Sequence, residues 1–269
     1  MTTAPMTSAS PETVNAVGIG CSDWLDAIHC ADCMEVLSEL PDKSVDATIT
    51  DPPYAMTQNE WDKLPDLASW WLQICRVTKG AVVMTASQPF ASRVVMSNLA
   101  AFKYEWVWEK SHPSGHLNAK VMPLRQHENI LVFDCGGLTY NPQIGKKNPN
   151  NIRPDTSGPN KSSNYGHYET GGGRRTVPRE ETYPRSVVKF SNDIGKRGLH
   201  PTQKPIELMR YLVETYTNPG DVVLDCYAGS GTTLVACKQT GRHYIGIEKE
   251  QRYADTTKTR LTQEMWLGV

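Results

Sequence analysis

VVLDCYAGSGTTLVACKQTGRHYIGIE, residues 222–248, is the stretch that decides the fold. The apolar run Val222–Leu224 predicts a buried strand, a loop of small residues follows, and Thr232–Gln239 predicts a helix. A second apolar run, Tyr244–Ile247, predicts a strand that leads into Glu248. A strand, a helix and a second strand within about 30 residues form a βαβ unit, which predicts a parallel sheet.

The loop of this unit, Ala228-Gly229-Ser230-Gly231, predicts a binding site for a nucleotide-like cofactor. Its glycines allow a close backbone approach, and its amide groups point at a ligand above the helix N-terminus. Glu248, about 20 residues further on, is positioned to accept hydrogen bonds from ribose hydroxyls. NAD and flavin enzymes use a similar loop, but the full GxGxxG pattern is missing here, as is the GKS or GKT of a triphosphate-binding loop.

Asp51-Pro52-Pro53-Tyr54 follows another apolar run, Val45–Thr50. The two prolines fix the backbone and remove two donors, so the Pro52 carbonyl lies beside the Asp51 carboxylate. Two acceptors suit the two hydrogens of an exocyclic amino group, and Tyr54 can stack on the ring that carries it. Because open α/β sheets bind ligands at the carboxyl ends of strands, we expect a catalytic pocket for a planar amine here. The alternative is a simple proline-rich turn.

The rest of the chain alternates between helical and strand-like patterns. Predicted helices cover residues 34–40, 67–77 and 206–216, and predicted strands cover residues 81–85, 104–108, 129–133 and 185–190. Trp70 and Trp71 lie on a predicted helix and are expected in the core. Residues 1–22 lack the basic start and apolar stretch of a signal peptide, so we expect a disordered tail.

The formal net charge of −1 is distributed unevenly along the chain. Residues 139–199 carry a charge of about +6 and the remainder about −7. Since residues 136–183 contain very few Leu, Ile or Val, they predict a loop-rich insertion rather than a second core. A localised basic segment indicates a surface for a polyanion, with Arg174, Arg175 and Arg179 as candidate DNA contacts. The alternative is a solvated loop.

Composition excludes several classes of protein. No apolar run approaches the roughly 20 residues that span a bilayer, so no membrane association is expected. The seven cysteines have no disulfide-framework spacing, which favours a reducing compartment and a cytoplasmic location. Cys30 and Cys33 form a CxxC pair without a matching second pair, so no metal site is predicted.

Three motifs together resemble a known family. ITDPPY at residues 49–54, HPTQKP at 200–205 and DCYAGSGTT at 225–233 resemble the amino-group DNA methyltransferases that use S-adenosylmethionine, in the motif order of the β group. The resemblance implies an α/β, Rossmann-like methyltransferase fold with permuted motif order. It also implies a catalytic domain formed by residues 23–138 and 200–269, interrupted at 139–199 by an inserted target-recognition region.

The resemblance also implies roles for individual residues. It assigns catalysis to Asp51, Pro52, Pro53 and Tyr54. It assigns cofactor binding to a larger set: Asp32, Thr202, Lys204, Asp225, Ala228, Gly229, Ser230, Gly231, Thr232 and Glu248.

Some matches are less complete than others. Ala31 stands where the family usually has Gly, and Cys226-Tyr227 replaces the commoner Pro-Phe. Trp108-Glu109-Lys110 resembles the family's segment beside the target-base pocket, which implies DNA contact by Lys110. Ordinary aromatic packing of Trp108 explains the same pattern.

The function implied is methyl transfer from S-adenosylmethionine to the 6-amino group of adenine in double-stranded DNA. In the family, Asp in the tetrapeptide usually accompanies adenine and Ser accompanies cytosine, and here the residue is Asp51. Such an enzyme serves restriction-modification or acts as an orphan or phage modification enzyme. A homodimer is one of the oligomeric states that the sequence allows. The alternatives are cytosine 4-amino methylation, methylation of RNA or a protein amide, and a non-catalytic DNA-binding protein that kept the fold.

Overall fold

The computed structural model describes residues 24–55, 66–152, 178, 180–192 and 203–266. These residues form an eight-stranded sheet with helices on both faces, and a separate two-stranded sheet. The strands are β1 (Ala27–Cys30), β2 (Ala47–Thr50), β3 (Ala81–Ala86), β4 (Phe102–Ser114), β5 (Arg125–Asp134), β6 (Gly145–Lys146), β7 (Glu181–Thr182), β8 (Val187–Phe190), β9 (Val222–Asp225) and β10 (His243–Glu248). The helices are α1 (Cys33–Glu39), α2 (Leu67–Val77), α3 (Phe90–Ser97), α4 (Ile206–Tyr216), α5 (Thr232–Gln239) and α6 (Gln251–Trp266).

The order of the large sheet is β1-β10-β9-β2-β3-β5-β4-β8. The five strands from β1 to β3 are parallel, whereas β5 runs antiparallel to both of its neighbours, β3 and β4. The chain leaves β2 towards β3 on one side and leaves β9 towards β10 on the other. The carboxyl ends of β2 and β9 are therefore neighbours at a topological switch point, where open α/β sheets bind ligands.

Apolar side chains fill both faces of the sheet. On one face α4, α5 and α6 bury residues such as Leu212 and Leu234. On the other face α1, α2 and α3 bury residues such as Leu37, together with Trp70 and Trp71. The predicted core position of the two tryptophans is confirmed. The result is a three-layer domain in which helices pack on both faces of the sheet.

Helix α4 shows how local sequence and packing agree. Pro205 lies at its N-cap, where the missing N–H costs nothing. Leu208, Leu212 and Tyr216 share one buried face of the helix. Each fully buried side chain of this size stabilises the fold by about 2 kcal/mol. The Tyr216 hydroxyl also accepts a 2.6 Å hydrogen bond from Trp106 Nε1, which fixes α4 on β4.

Several elements differ from the sequence predictions. The strands predicted at residues 104–108 and 129–133 are parts of the much longer β4 and β5, which form a hairpin. Helices α3 and α6 were not predicted. Strand β8 lies inside the predicted insertion and pairs with β4 in the main sheet, as expected for a strand that returns the chain. Most of that insertion and the predicted tail, residues 1–22, lie outside the described residues.

One disulfide joins two cysteines that their spacing in the sequence does not pair. Cys75 at the end of α2 and Cys135 after β5 are joined, with 5.1 Å between their Cα atoms. The two residues are 60 positions apart, and only the pairing of β3 with β5 brings them together. Within the described part of the chain, no helix is long and apolar enough to cross a membrane.

Candidate active site

Two loops meet at the switch point of the sheet. Asp51 follows β2, and the glycine loop, residues 226–231, follows β9. The Thr50 hydroxyl at the end of β2 donates a 2.7 Å hydrogen bond to the Asp225 carboxylate at the end of β9. Motifs that are 175 residues apart in the sequence are therefore held side by side.

The Asp51 carboxylate has three donors around it. Its Oδ1 accepts hydrogen bonds from the Tyr54 hydroxyl, at 2.7 Å, and from the Thr85 hydroxyl. Its Oδ2 lies 2.6 Å from Lys204 Nζ. An ionised carboxylate has about four acceptor positions, so the donors among the described residues leave one position, on Oδ2. The Asp51 side chain is 23% exposed, so part of it is accessible to a ligand.

Asp51 is the first member of a row of alternating charges that we call the charge chain: Asp51, Lys204, Glu128 and Lys110. Lys204 Nζ lies 3.5 Å from Glu128 Oε2, which is a mainly electrostatic contact. Glu128 Oε1 in turn lies 2.5 Å from Lys110 Nζ. Burial lowers the pKa of Lys204, but the charges and hydrogen bonds of Asp51 and Glu128 raise it by more, so the pKa lies above its usual value. Lys204 therefore stays charged at neutral pH.

Tyr54 is held as a hydrogen-bond donor to Asp51. Burial, followed by the charges of Asp51 and Glu128, raises the pKa of its hydroxyl well above the usual value. Its ring stacks on Phe90 with the centroids 5.2 Å apart and the planes 22° apart. Lys204 Nζ lies 5.7 Å from the Tyr54 ring centroid. Tyr54 thus connects Phe90, at the start of α3, to the Asp51 carboxylate.

The glycine loop has the backbone conformation that its sequence predicts. Gly229 and Gly231 have φ values of 54° and 77°, a region that L side chains rarely adopt. Gly231 caps α5, and its N–H donates to the Ala228 carbonyl at 2.7 Å. The loop is therefore a tight turn that leads directly into a helix N-terminus.

Helix α6 supports this loop from behind. The Thr257 hydroxyl donates a 3.0 Å hydrogen bond to the Gly229 carbonyl. The Arg260 guanidinium donates to the Ser230 carbonyl, and it lies 3.3 Å from the Thr232 hydroxyl. These two α6 side chains fix the loop through its backbone carbonyls.

Two carboxylates converge beside the glycine loop. Cys30 and Glu248 are register partners at the ends of β1 and β10. Asp32 lies two residues after Cys30. Glu248 Oε2 accepts a 2.8 Å hydrogen bond from the Gly229 N–H, and burial raises the pKa of this acid. Asp32 caps α1 and lies 3.2 Å from Lys249 Nζ. Acceptors on two adjacent strands suit a ligand with hydroxyl and amino donors.

Asp225 lies beneath the loop and is almost fully buried. It accepts hydrogen bonds from the Thr50 hydroxyl and, at 3.2 Å, from the Tyr227 N–H. Burial raises its pKa to about 6. The structure therefore gives Asp225 a role in shaping the loop, while its predicted cofactor contact stays a prediction.

The predicted DNA contacts divide into two groups. Lys110 is buried, is paired with Glu128, and has its Nζ 5.6 Å from the Trp108 ring centroid. A contact with a phosphate would require that pair to break, and DNA binding by Lys110 stays a prediction. The other predicted DNA contacts lie outside the described part of the chain: Arg174, Arg175 and Arg179. The predicted cofactor contact Thr202 also lies outside it.

Glu128, Thr85 and Phe90 belong to the site without having been predicted. No motif marks them. Thr85 at the end of β3 contacts Asp51, Phe90 at the start of α3 stacks on Tyr54, and Glu128 on β5 contacts Lys204. Trp108 donates from Nε1 to the Phe190 carbonyl at 3.0 Å, which is the ordinary packing that its sequence pattern allowed. Among the described residues, no cluster of His, Cys, Asp or Glu could hold a metal ion.

Comparison with known proteins identifies the class. Residues 45–259 match the family model N6_N4_Mtase, described as DNA methylase. The chain therefore belongs to the family of N6/N4 amino-group DNA methyltransferases, a family that uses S-adenosylmethionine.

Individual relatives agree with this family. The type II methyltransferase M.HinfI of Haemophilus influenzae is 29% identical, with 90% of this chain and 70% of the relative covered. M.HpaI of Haemophilus parainfluenzae, also a type II methyltransferase, is 28% identical, with 87% and 74% covered.

Solved structures support the fold. The complex of M1.HpyAVI with SAM matches with a TM-score of 0.58 and 28% identity, over 87% of this chain and 98% of that one. TTHA0409 of Thermus thermophilus matches with a TM-score of 0.58 and 24% identity, over 88% and 95%. The predicted methyltransferase fold is confirmed.

Proposed function

We propose that this protein methylates the 6-amino group of adenine in double-stranded DNA, with S-adenosylmethionine as the methyl donor. The observation that carries the proposal is the Asp51 carboxylate. Three donors hold it at the switch point, and the described residues leave one acceptor position on Oδ2. An aspartate at this position of the tetrapeptide favours adenine over cytosine. The nearest alternative is cytosine 4-amino methylation, which needs the same geometry on a smaller ring.

The residues beside the glycine loop fit the proposed cofactor. Glu248 and Asp32 offer carboxylate acceptors to ribose hydroxyls and to an adenine amino group. The Gly229-Ser230-Gly231 turn lets the backbone approach closely. When bound, S-adenosylmethionine supplies an electrophilic methyl group on its sulfonium.

Asp51 and Pro52 act on the target amine by orienting it. The lone pair of an exocyclic amine is delocalised into the ring, so the amine is a weak nucleophile. Acceptance of its two hydrogens by Asp51 Oδ2 and the Pro52 carbonyl favours a tetrahedral nitrogen whose lone pair points out of the ring plane. The methylated amine must lose one proton, and Asp51 already accepts a hydrogen bond from it.

The substrate base has to leave the duplex. Asp51 follows the end of β2 and its side chain is only 23% exposed, and a base that is still stacked in a duplex cannot reach such a carboxylate. Flipping costs a few kcal/mol, and stacking on an aromatic ring such as Tyr54 recovers about 1 to 3 kcal/mol. Phosphate contacts by the basic segment, including Arg174, Arg175 and Arg179, supply further binding energy.

The wider role follows from the relatives. Both are named as type II methyltransferases, which favours restriction-modification over an orphan or phage role. The cytoplasmic location and the homodimer remain predictions.

The test is to identify the methylated nucleoside. Purified protein is incubated with unmethylated plasmid DNA and S-adenosylmethionine, and the digested DNA is analysed by mass spectrometry. N6-methyldeoxyadenosine is the expected product. N4-methyldeoxycytidine would establish the alternative, and the absence of both would favour a non-catalytic DNA-binding protein.

A pair of variants connects the product to the site. Asp51→Ala should lose more than nine-tenths of the rate while its affinity for S-adenosylmethionine stays within a few fold. Asp46→Asn is the matched control, because Asp46 precedes the same strand at the opposite edge and pairs with Lys79. A rate for Asp51→Ala above a tenth of the wild-type rate would contradict the role of Asp51.

A further inference from the structure

The β4–β5 hairpin extends past the catalytic edge of the sheet. The last register pair between β5 and β3 is Asn129 with Ala86, the final residue of β3. Residues 125–128 of β5 and their partners on β4 therefore lie beyond that edge, on the side where Asp51 and the glycine loop lie. We call residues 111–127 the hairpin arm. Its base is fixed in the active site, because Glu128 contacts Lys204.

The tip of the hairpin arm has a regular, hydrogen-bonded backbone. Gly115 has φ 90°, and a 3-10 turn follows at His116–Asn118. The Asn118 carbonyl accepts hydrogen bonds from the N–H groups of Val121 and Met122, at 2.9 and 3.0 Å. These turns fix the directions in which the tip side chains point.

The tip exposes apolar side chains where a soluble surface would be polar. Leu117 is fully exposed, Val121 is 79% exposed and Met122 is 54% exposed. Single exposed apolar residues are common, but three within six residues at the tip of a projecting arm form a patch. Such a patch indicates a binding surface.

The surroundings of this patch are basic. Between Lys110 and Glu128 the chain has no Asp or Glu, and it carries Lys120 and Arg125, both exposed. An apolar tip flanked by cations is complementary to a partner that has an anionic surface and an apolar interior. Duplex DNA has both, in its phosphates and its base stack, and proteins that kink DNA insert apolar side chains between base steps.

We propose that Leu117, Val121 and Met122 form a wedge that enters the DNA base stack beside the target base. The inference rests on the proposed function. Three residues of strand from Glu128 to Arg125 carry the tip about 10 Å outward, so one duplex can contact the tip while its target base reaches Asp51. The wedge weakens stacking next to the target base and lowers the cost of flipping it.

The test uses a tip variant and a matched control. The tip variant carries Leu117→Ser, Val121→Ser and Met122→Ser. The control carries Leu72→Ser, Met96→Ser and Leu99→Ser, which are 70%, 71% and 58% exposed on and beside α2 and α3, away from the arm. Both proteins should remain folded by circular dichroism and bind S-adenosylmethionine like the wild type.

The substrates are two duplexes that contain the site found by sequencing plasmid DNA methylated by the wild-type protein. One is fully paired, and the other has an abasic position opposite the target base. On the paired duplex the tip variant should lose at least tenfold in kcat/KM, about 1.4 kcal/mol. On the abasic duplex it should return to within threefold of the wild type, because the target base is already loosened. The control should match the wild type on both.

Three outcomes would overturn the wedge. The first is an unchanged rate on the paired duplex, and the second is an equal loss on both duplexes. The third is a change from dimer to monomer in sedimentation, which would make the tip an interface between two copies of the chain. A wild-type protein that methylates no DNA would instead contradict the proposed function.

Discussion

Lys204→Met tests the charge chain, because it removes the cation between two carboxylates while keeping most of the side-chain volume. Loss of one partner from a buried ion pair costs about 3 to 5 kcal/mol of unfolding free energy. The Lys204 side chain is only 9% exposed, but Asp51 is 23% exposed and keeps part of its hydration. We therefore expect a loss near the lower limit, about 3 kcal/mol.

The assay is urea unfolding at pH 7, followed by circular dichroism. The control is Lys79→Met, whose 2.8 Å pair with Asp46 is at the surface, with the lysine side chain 51% exposed. Exposed pairs contribute about 0 to 1 kcal/mol, so this variant should remain close to the wild type. Methyl transfer by Lys204→Met should fall at least tenfold, because Asp51 loses the donor that orients Oδ2.

A double variant separates charge from packing. Lys204→Met combined with Asp51→Asn leaves no unpaired carboxylate at Asp51, and it should recover at least about 1 kcal/mol of the unfolding free energy. Equal losses in Lys204→Met and Lys79→Met, or no recovery in the double variant, would refute a buried, coupled charge chain.

Three further predictions concern the loops and the basic segment. Gly231→Ala should be less stable than Gly241→Ala, because both glycines have positive φ but only at Gly231 does an added Cβ collide with Thr257. Gly231→Val should lower stability further, and calorimetry at a temperature where circular dichroism shows it folded should detect no S-adenosylmethionine binding. The pKa of Asp225 in the folded protein, about 6, lies above the usual value of 3.8, so its contribution to stability is complete below pH 3.8 and is lost as pH rises to 6. Across that window the unfolding free energy of the wild type should fall by about 3 kcal/mol relative to that of Asp225→Asn. Parallel curves of unfolding free energy against pH would contradict the burial argument. The basic segment is tested by replacing three arginines with Gln: Arg174, Arg175 and Arg179. In a salt titration of duplex binding, the slope of log affinity against log salt should be smaller by up to about 3 than in the wild type. Equal slopes would indicate a solvated loop.

The predictable part of the fold was the part with strong local patterns. The predicted helix Thr232–Gln239 has the same bounds as α5, because apolar strands and small loop residues delimit it on both sides. Helix α6 was missed because most of its residues are polar and few, such as Ala254 and Leu261, are buried. The outer part of the β4–β5 hairpin was missed because its His, Pro, Ser and Arg residues form no apolar alternation.

The parts of the candidate site that could be predicted are those whose functional groups lie in consecutive residues of one motif. Asp51 and the glycine loop were found because each motif follows an apolar strand. Glu128 could not be found in this way, since it reaches Lys204 only through the antiparallel pairing of β5, and a sequence pattern does not reveal which strands become neighbours. Arg260 was missed for the same reason: it supports a loop 30 residues away from it in the sequence.

The antiparallel direction of β5 has a consequence for how proteins of this design can change. A connection between β4 and β5 lies outside the hydrogen-bonded ladder of the main sheet, so insertions there leave the register of the core strands intact. Doubling the length of such a loop costs only about 0.6 kcal/mol of closure entropy. Every residue added to it is nevertheless carried to the end of the sheet where Asp51 and the glycine loop lie. The hairpin is thus a place where new contacts can be gained by small insertions, while the scaffold beneath keeps its stability.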